Sequence, residues 1–183
     1  MDNTLQEFDR VVAECKDIFI SKMHDYGVAW RILRLPSVTD QIYIKAQRIR
    51  NVEEKGINKI NEDITSELRG VVNYALIAQM QFALEPASFE KWEIPSEEVM
   101  TLYDKYVENA RNLLADKNHD YDQAWRNMRI SSLTDIILMK ILRIKQIENN
   151  QRQTLISEGV DANYYDILNY AIFALIKLTP QKQ

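Results

Sequence analysis

Two lysines stand where apolar residues belong. Val38, Ile42, Ile49 and Val52 form a stripe at helical spacing, and the position that completes its rhythm is Lys45. Further along, Leu133, Ile137, Ile144 and Ile147 bracket Lys140 in the same way. A lysine in such a seam must snorkel, pair with an acid or meet a bound anion, because an unpaired ammonium is too costly to bury. Arg48 and Arg143 follow each lysine at i+3. Lys22, Arg31 and Arg34 before the first stripe are matched by Lys117, Arg126 and Arg129 before the second. Five cations in each set suit either interhelical ion pairs or a clamp on phosphate oxygens, with arginine offering bidentate contacts.

Acids come from a later stretch. Glu158, Ala162, Asp166 and Asn169 fall at i, i+4, i+8 and i+11, one line along a helix, with Asp161 at i+3 from Glu158. Carboxylates spaced around a small residue suit Mg²⁺, which takes one or two of them and keeps room for water and phosphate oxygens. Glu158, Asp161 and Asp166 are therefore the candidate catalytic and metal-holding set. The matching earlier line is Glu62, Ser66, Gly70 and Asn73, with Glu67 slightly off it. Glycine replaces the central acid there, so a divalent metal is expected at the second set, with Glu62 as a further candidate ligand. Tyr26, Trp30, Tyr121 and Trp125 lie in loops beside the cations, where they either stack on a base or anchor the loop. Asn73 and Asn169 divide between packing and polar contact with a ligand. His24-Asp25 and His119-Asp120 supply one histidine each, too few for a histidine-rich metal phosphohydrolase.

These pairings arise because the chain repeats itself. Lys22-Met-His24-Asp25-Tyr26-Gly-Val-Ala29-Trp30-Arg31 returns as Lys117-Asn-His119-Asp120-Tyr121-Asp-Gln-Ala124-Trp125-Arg126, a shift of 95 positions. The register holds without a gap as far as Ile49 and Ile144. One residue is then gained, and Asn73-Tyr74-Ala75 reappears as Asn169-Tyr170-Ala171. What both copies keep is what the unit needs, for packing or for chemistry.

Each copy reads as three helices. The first runs from about Leu5 to His24, with its counterpart from about Ser96 to Asn118, where Ser96 is the expected N-cap. The second opens on Ser37-x-x-Asp40 and Ser132-x-x-Asp135, spaced like capping boxes. The third runs from about Ile57 to Leu84 and from about Ser157 to Leu178. Residues 85–95 form a linker whose Phe89 and Trp92 are expected to pack on the body. The expected fold is all-α: two tandem three-helix repeats, 1–84 and 96–183, sharing one core as a pseudo-twofold helical bundle.

Composition agrees. A length of 183 residues supports one sizeable core, whereas each half alone is marginal. Only 4 glycines and 4 prolines favour long helices. A net charge of −4 argues against nucleic acid as a partner. The lone cysteine, Cys15, sits on a helical segment among apolar residues, as a buried thiol in a reducing compartment. No leader pattern opens the chain and no run approaches the ~20 apolar residues of a membrane span, so a soluble cytoplasmic protein is expected, with a homodimer as the candidate assembly.

The string Lys-x-x-Asp-Tyr-Gly-x-Ala-Trp, then Lys-x-x-Arg-Ile, then a Glu-led helix ending Asp-x-x-Asn-Tyr-Ala, resembles the nucleotide modification associated domain family of bacterial and phage proteins. The likeness covers each repeat almost entirely. More distantly the chain is similar to the all-α nucleoside triphosphate pyrophosphohydrolases of the MazG type, which hold Mg²⁺ with a Glu-x-x-Glu on one helix and a Glu-x-x-Asp on the next. Where the first motif would fall, this chain has Lys45-x-x-Arg48 and Lys140-x-x-Arg143, with Glu53 and Glu148 the nearest acids. The second is split into Glu67-x-x-Gly70 and Asn163-x-x-Asp166.

The resemblance implies a MazG-like fold and a protein that handles a nucleotide or other phosphorylated small molecule. As a Mg²⁺-dependent pyrophosphohydrolase it would use Glu158, Asp161 and Asp166 on the metal, and Arg126, Lys140 and Arg143 on the phosphates. The alternatives are a binding or regulatory module that kept the cations and lost the metal acids, and a structural protein whose charges are ion pairs.

Overall fold

A computed structural model describes residues 3–56, 60–121, 123–155 and 158–180, without the side chains of 60–63 and 118–121. Glu62 and Tyr121, both candidates above, have side chains outside the described residues, as do His119 and Asp120. Among the described residues the chain is all-α: α1 (Thr4–Tyr26), α2 (Leu35–Lys55), α3 (Ile60–Ala83), α4 (Ser96–Tyr121), α5 (Ile130–Asn149) and α6 (Val160–Leu178). A short 3₁₀ turn precedes α2 at Ala29–Ile32, and its counterpart precedes α5 at Ala124–Asn127.

α3 and α6 pack against each other at the centre. α2 covers α3, α5 covers α6, α2 meets α5, and α1 and α4 lie across both central helices. α6 carries the apolar run that such a place demands: Ile167, Leu168, Ala171, Ile172, Ala174 and Leu175 are all buried. One core cluster draws on all six helices. Among the described residues no helix is long and apolar enough to cross a membrane.

The duplication is visible in reciprocal contacts. Lys16 on α1 pairs with Asp104 on α4 at 2.6 Å, and Arg111 on α4 returns to Asp9 on α1 at 2.8 Å. Asp40 on α2 takes Lys145 of α5 at 2.6 Å, while Asp135 on α5 lies 3.9 Å from Arg50 of α2. The Thr39 hydroxyl donates to Glu148 at 3.2 Å, and the Thr134 hydroxyl to Glu53 at 2.9 Å. Each pair maps onto its partner under the shift of 95, as a pseudo-twofold relation between the halves requires.

Three expectations change. α2 and α5 start two residues before the serines, with Arg34 and Arg129 at N-cap and no side-chain cap hydrogen bond. Pro36 in the first turn presets φ for α2, so Ser37 is already inside it. The repeated aspartates serve the α2–α5 seam, not a capping box. Ser96 is likewise the first residue of α4, and the Pro95 carbonyl accepts the first helical bond, from the Val99 N–H at 3.2 Å. In the linker Trp92 packs against the core, but Phe89 is 82 % exposed. Phe89 occupies the tip of a tight turn closed by Ser88 and Lys91, and a residue there points away from the body.

Candidate functional site

The loop after α1 is set by backbone chemistry. Gly27 ends α1 at φ 63°, a left-handed conformation that glycine adopts without a Cβ penalty, and a Cβ there would meet the Trp92 ring at 3.7 Å. The 3₁₀ turn that follows is held from α3. Gln81 Nε2 donates to the carbonyls of Arg31 at 3.0 Å and Leu33 at 2.6 Å, while its Oε1 accepts from Arg31. Arg31 also donates to the Glu85 carbonyl at 2.6 Å and is buried. In the second repeat Lys177 takes the place of Gln81 and donates to the Arg126 carbonyl. With a lysine where Gln81 stands in the first repeat, Arg126 donates instead to Glu7, Thr4 and Gln123. Arg31 and Arg126 therefore hold the loops in place, and neither is free to clamp a phosphate.

The seam lysines behave as their setting demands. Lys140 reaches Asp166 at 2.6 Å with side chains only 12 % and 11 % exposed, and Lys117 takes the other carboxylate oxygen at 2.8 Å. Burial works to raise the Asp166 pKa, but the two ammonium groups outweigh it and hold the carboxyl below the usual range. Burial likewise opposes the Lys117 charge, and Asp166 more than compensates, holding that pKa above the ordinary lysine value. In the first repeat the acid comes from one turn earlier. Glu67 binds Arg48 at 2.7 Å with one oxygen and lies 3.4 Å from Lys45 with the other. Lys45 bends over Gly70, where a Cβ would stand 2.8 Å from its Cδ and Cε.

That exchange of acid for glycine leaves a cleft of about 520 Å³ in the first repeat, between α1, its loop, α2 and α3. Lys22, Lys45 and Arg69 are its cations, Tyr26, Trp30 and Tyr74 its aromatics beside Phe19, and among the described residues no acid lines it. Arg69 is paired outward with Glu14 at 2.7 Å, whereas Lys22 has no partner among the described residues. Tyr26 stands 54 % exposed at the mouth. Burial first, then neighbouring Tyr26, pushes the Tyr74 hydroxyl above its ordinary pKa, so it is a neutral donor at pH 7. Asn73 also reaches the cleft, but its amide is committed: Nδ2 donates to the Cys15 carbonyl at 3.0 Å and Oδ1 accepts from Tyr103 at 2.9 Å. Asn169 repeats the first bond, to the Ala110 carbonyl at 3.4 Å, so this asparagine fastens α1 or α4 to the central pair. Cys15 is buried, and its thiol pKa is pushed up to about 12 by that burial.

The second repeat is arranged differently at the same places. Phe173 replaces Ile77 and stacks on the buried Trp125, ring centroids 4.3 Å apart, with the Arg126 guanidinium 4.4 Å from the Trp125 ring centroid. Arg143 and Glu158 line a separate, wider depression of about 850 Å³ with Met139, Leu142 and Leu155. Arg34 and Arg129 are exposed at the helix starts.

The expected metal set does not come together. Glu158 and Asp161 are exposed, Asp166 is occupied by two ammonium groups, and among the described residues no three His, Cys, Asp or Glu are placed to hold an ion. A carboxylate that already neutralises two lysines is a poor Mg²⁺ ligand, so the described members of the set do not fit that ion. Sequence reasoning also passed over Arg69 and Gln81, and met Tyr74 only as part of the repeated Asn73-Tyr74-Ala75 string. The signal for Arg69 was its place beside the Ser66–Gly70–Asn73 line. Gln81 left none, because its counterpart is a lysine.

The family model described as "Nucleotide modification associated domain 1" matches residues 22–82 and again 117–178. The two matches begin at Lys22 and Lys117 and together cover most of the chain. No curated protein and no solved structure matches the chain significantly.

Proposed function

We propose, from the premise that the chain belongs to the Nucleotide modification associated domain 1 family in two tandem copies, that it is a nucleotide-binding protein whose ligand occupies the first-repeat cleft. The observation that carries this reading is the lining: three cations, four loop and helix aromatics, and among the described residues no carboxylate in one cleft of about 520 Å³. Stacking of a base on an aromatic contributes about 1–3 kcal/mol and tolerates any base, because every base has a π face. Tyr26, Trp30 and Tyr74 offer such faces. Lys22 and Lys45 supply the charge for the anionic end.

Binding fits this arrangement better than metal-dependent turnover does. Pyrophosphate release from a triphosphate needs Mg²⁺ to polarise the phosphoryl oxygens and activate water. The acids that would hold it, Glu158, Asp161 and Asp166, are dispersed or already paired. A panel of nucleosides and nucleotides, scored by thermal shift and by pyrophosphate release with and without Mg²⁺, tests the reading. At least one nucleotide should raise Tm without needing Mg²⁺, by mass action on the folded state. Pyrophosphate release that depends on Mg²⁺ would replace the binding reading with the hydrolase one. No shift with any nucleotide would remove it.

A further inference from the structure

The two repeats form an internal comparison in which one of them already holds an anion. Lys117 and Lys140 correspond to Lys22 and Lys45, and Asp166 corresponds to Gly70. In the second repeat the Asp166 carboxylate lies between the two lysines, at 2.8 Å from one ammonium and 2.6 Å from the other. In the first repeat the lysines remain and the carboxylate is gone. Lys45 crosses Gly70, Lys22 faces the same cleft, and among the described residues no acid lines it. We infer that the space over Gly70, between Lys22 and Lys45, receives one phosphate group of the ligand, and that the site selects nucleoside monophosphates over triphosphates. This rests on the proposed nucleotide binding and assigns its phosphate position and substrate class.

Charge sets the selectivity. A phosphomonoester carries roughly −1.5 to −2 at pH 7, which two lysines match. The third cation of the cleft, Arg69, is neutralised by Glu14 at 2.7 Å, and Glu67 shares its charge between Arg48 and Lys45. The further charges of a triphosphate would enter a cleft whose third cation is already paired with Glu14. Among the described residues no cluster of three or more His, Cys, Asp or Glu is placed to bring a metal ion to them.

The experiment is calorimetric titration of the full chain with the nucleoside, 5′-monophosphate and 5′-triphosphate of each common base, on wild type, Lys22→Gln and Gly70→Asp. For the base that binds, the monophosphate should exceed both the nucleoside and the triphosphate by about tenfold or more, a difference of ~1.4 kcal/mol. Gly70→Asp places a tethered carboxylate where Asp166 stands in the other repeat. The atoms it displaces are the flexible end of Lys45, so the variant should fold with a raised Tm and its monophosphate affinity should fall to that of the nucleoside. Lys22→Gln, on an exposed side chain, should lower monophosphate affinity in the same direction at unchanged Tm, and it decides the matter if Gly70→Asp folds poorly. A triphosphate binding at least as tightly as the monophosphate would overturn the inference while leaving nucleotide binding intact. So would Lys22→Gln and Gly70→Asp proteins that keep wild-type monophosphate affinity. If no nucleoside or nucleotide binds wild type at millimolar concentration, the functional reading itself falls.

Discussion

Lys140 and Asp166 form the most buried ion pair of the molecule among the described residues, and removing one partner is costlier than the pair is worth. Asp166→Ala should destabilise the protein by about 3 kcal/mol, measured by urea denaturation, because Lys140 would be left desolvated with no counter-charge. The double substitution Asp166→Ala with Lys140→Met should recover most of that loss; a double variant no more stable than the single one would show that packing, not charge, is at stake. Asp166 also sets an acid limb. Its carboxyl is held below the ordinary aspartate value of 3.8, so its contribution is present above that pH and is lost as pH falls through the lowered folded value. Tyr26 makes the contrasting case. At 54 % exposed it contributes little to the core, so Tyr26→Ala should leave Tm unchanged while weakening nucleotide affinity by about 1–3 kcal/mol in the same titrations. Equal affinity in that variant would move the base elsewhere. The sequence made the seam lysines legible because an ammonium in an apolar stripe has few physical solutions. Which acid would answer was not legible: Glu67 and Asp166 are one helical turn apart in the aligned repeats, and that single turn decides whether the carboxylate stands between the α5 and α4 lysines, as Asp166 does, or beside the seam lysine and its arginine, as Glu67 does.

The α2–α5 seam carries its own pH dependence. Glu53 and Glu148 are half-buried, and burial raises both pKa values above the ordinary 4.5, against the opposing hydrogen bonds from Thr134 and Thr39. A raised carboxyl pKa means the folded state binds protons more tightly than the unfolded chain does. Stability from these two groups is therefore greatest below the unfolded value and is lost as pH rises through the raised folded values. Wild type should gain stability from these groups as pH falls from neutrality towards the ordinary carboxyl value of 4.5. Glu53→Gln with Glu148→Gln should flatten that slope and match or exceed wild type at pH 7, since a glutamine oxygen still accepts from threonine. Denaturant midpoints across that range measure it, and an unchanged slope would place the titration elsewhere. The same seam explains why Ser37-x-x-Asp40 and Ser132-x-x-Asp135 look like caps. The aspartates recur because each crosses to a cation of the other repeat, Lys145 for Asp40 and Arg50 for Asp135. A local spacing rule sees the helix start and cannot see the opposing helix. The same shift that revealed the loop motif also aligned Lys16 with Arg111 and Asp9 with Asp104, so that reciprocal bridge was written in the sequence as a pair of conservative matches.

At the scale of the whole chain, neither repeat owns its core. The Tyr103 hydroxyl of α4 donates to Asn73 of α3, Arg126 of the second loop reaches Glu7 of α1, and Arg10 of α1 donates to the Thr179 carbonyl beyond α6 at 2.7 Å. Halves of about 90 residues bury too little surface to be stable alone, and here each also lacks the partner of several buried polar groups. The linker, by contrast, exposes its turn at Phe89, where a protease site can be inserted without touching the core. Cleavage there should leave the two fragments together in gel filtration and melting in one cooperative transition. Losing the covalent tether makes the second half's association bimolecular, so Tm should become concentration-dependent and fall on dilution. The fragment 1–88 expressed alone should melt without cooperativity, because α3 would present to water the face that packs on α6. A sharp, concentration-independent transition for that fragment would show that the duplication joined two self-sufficient units. Interdependence also bears on the ligand: the cleft lies wholly in the first repeat, yet Asn73 on its wall is held from α4, so the nicked protein should bind nucleotide only while its halves stay associated.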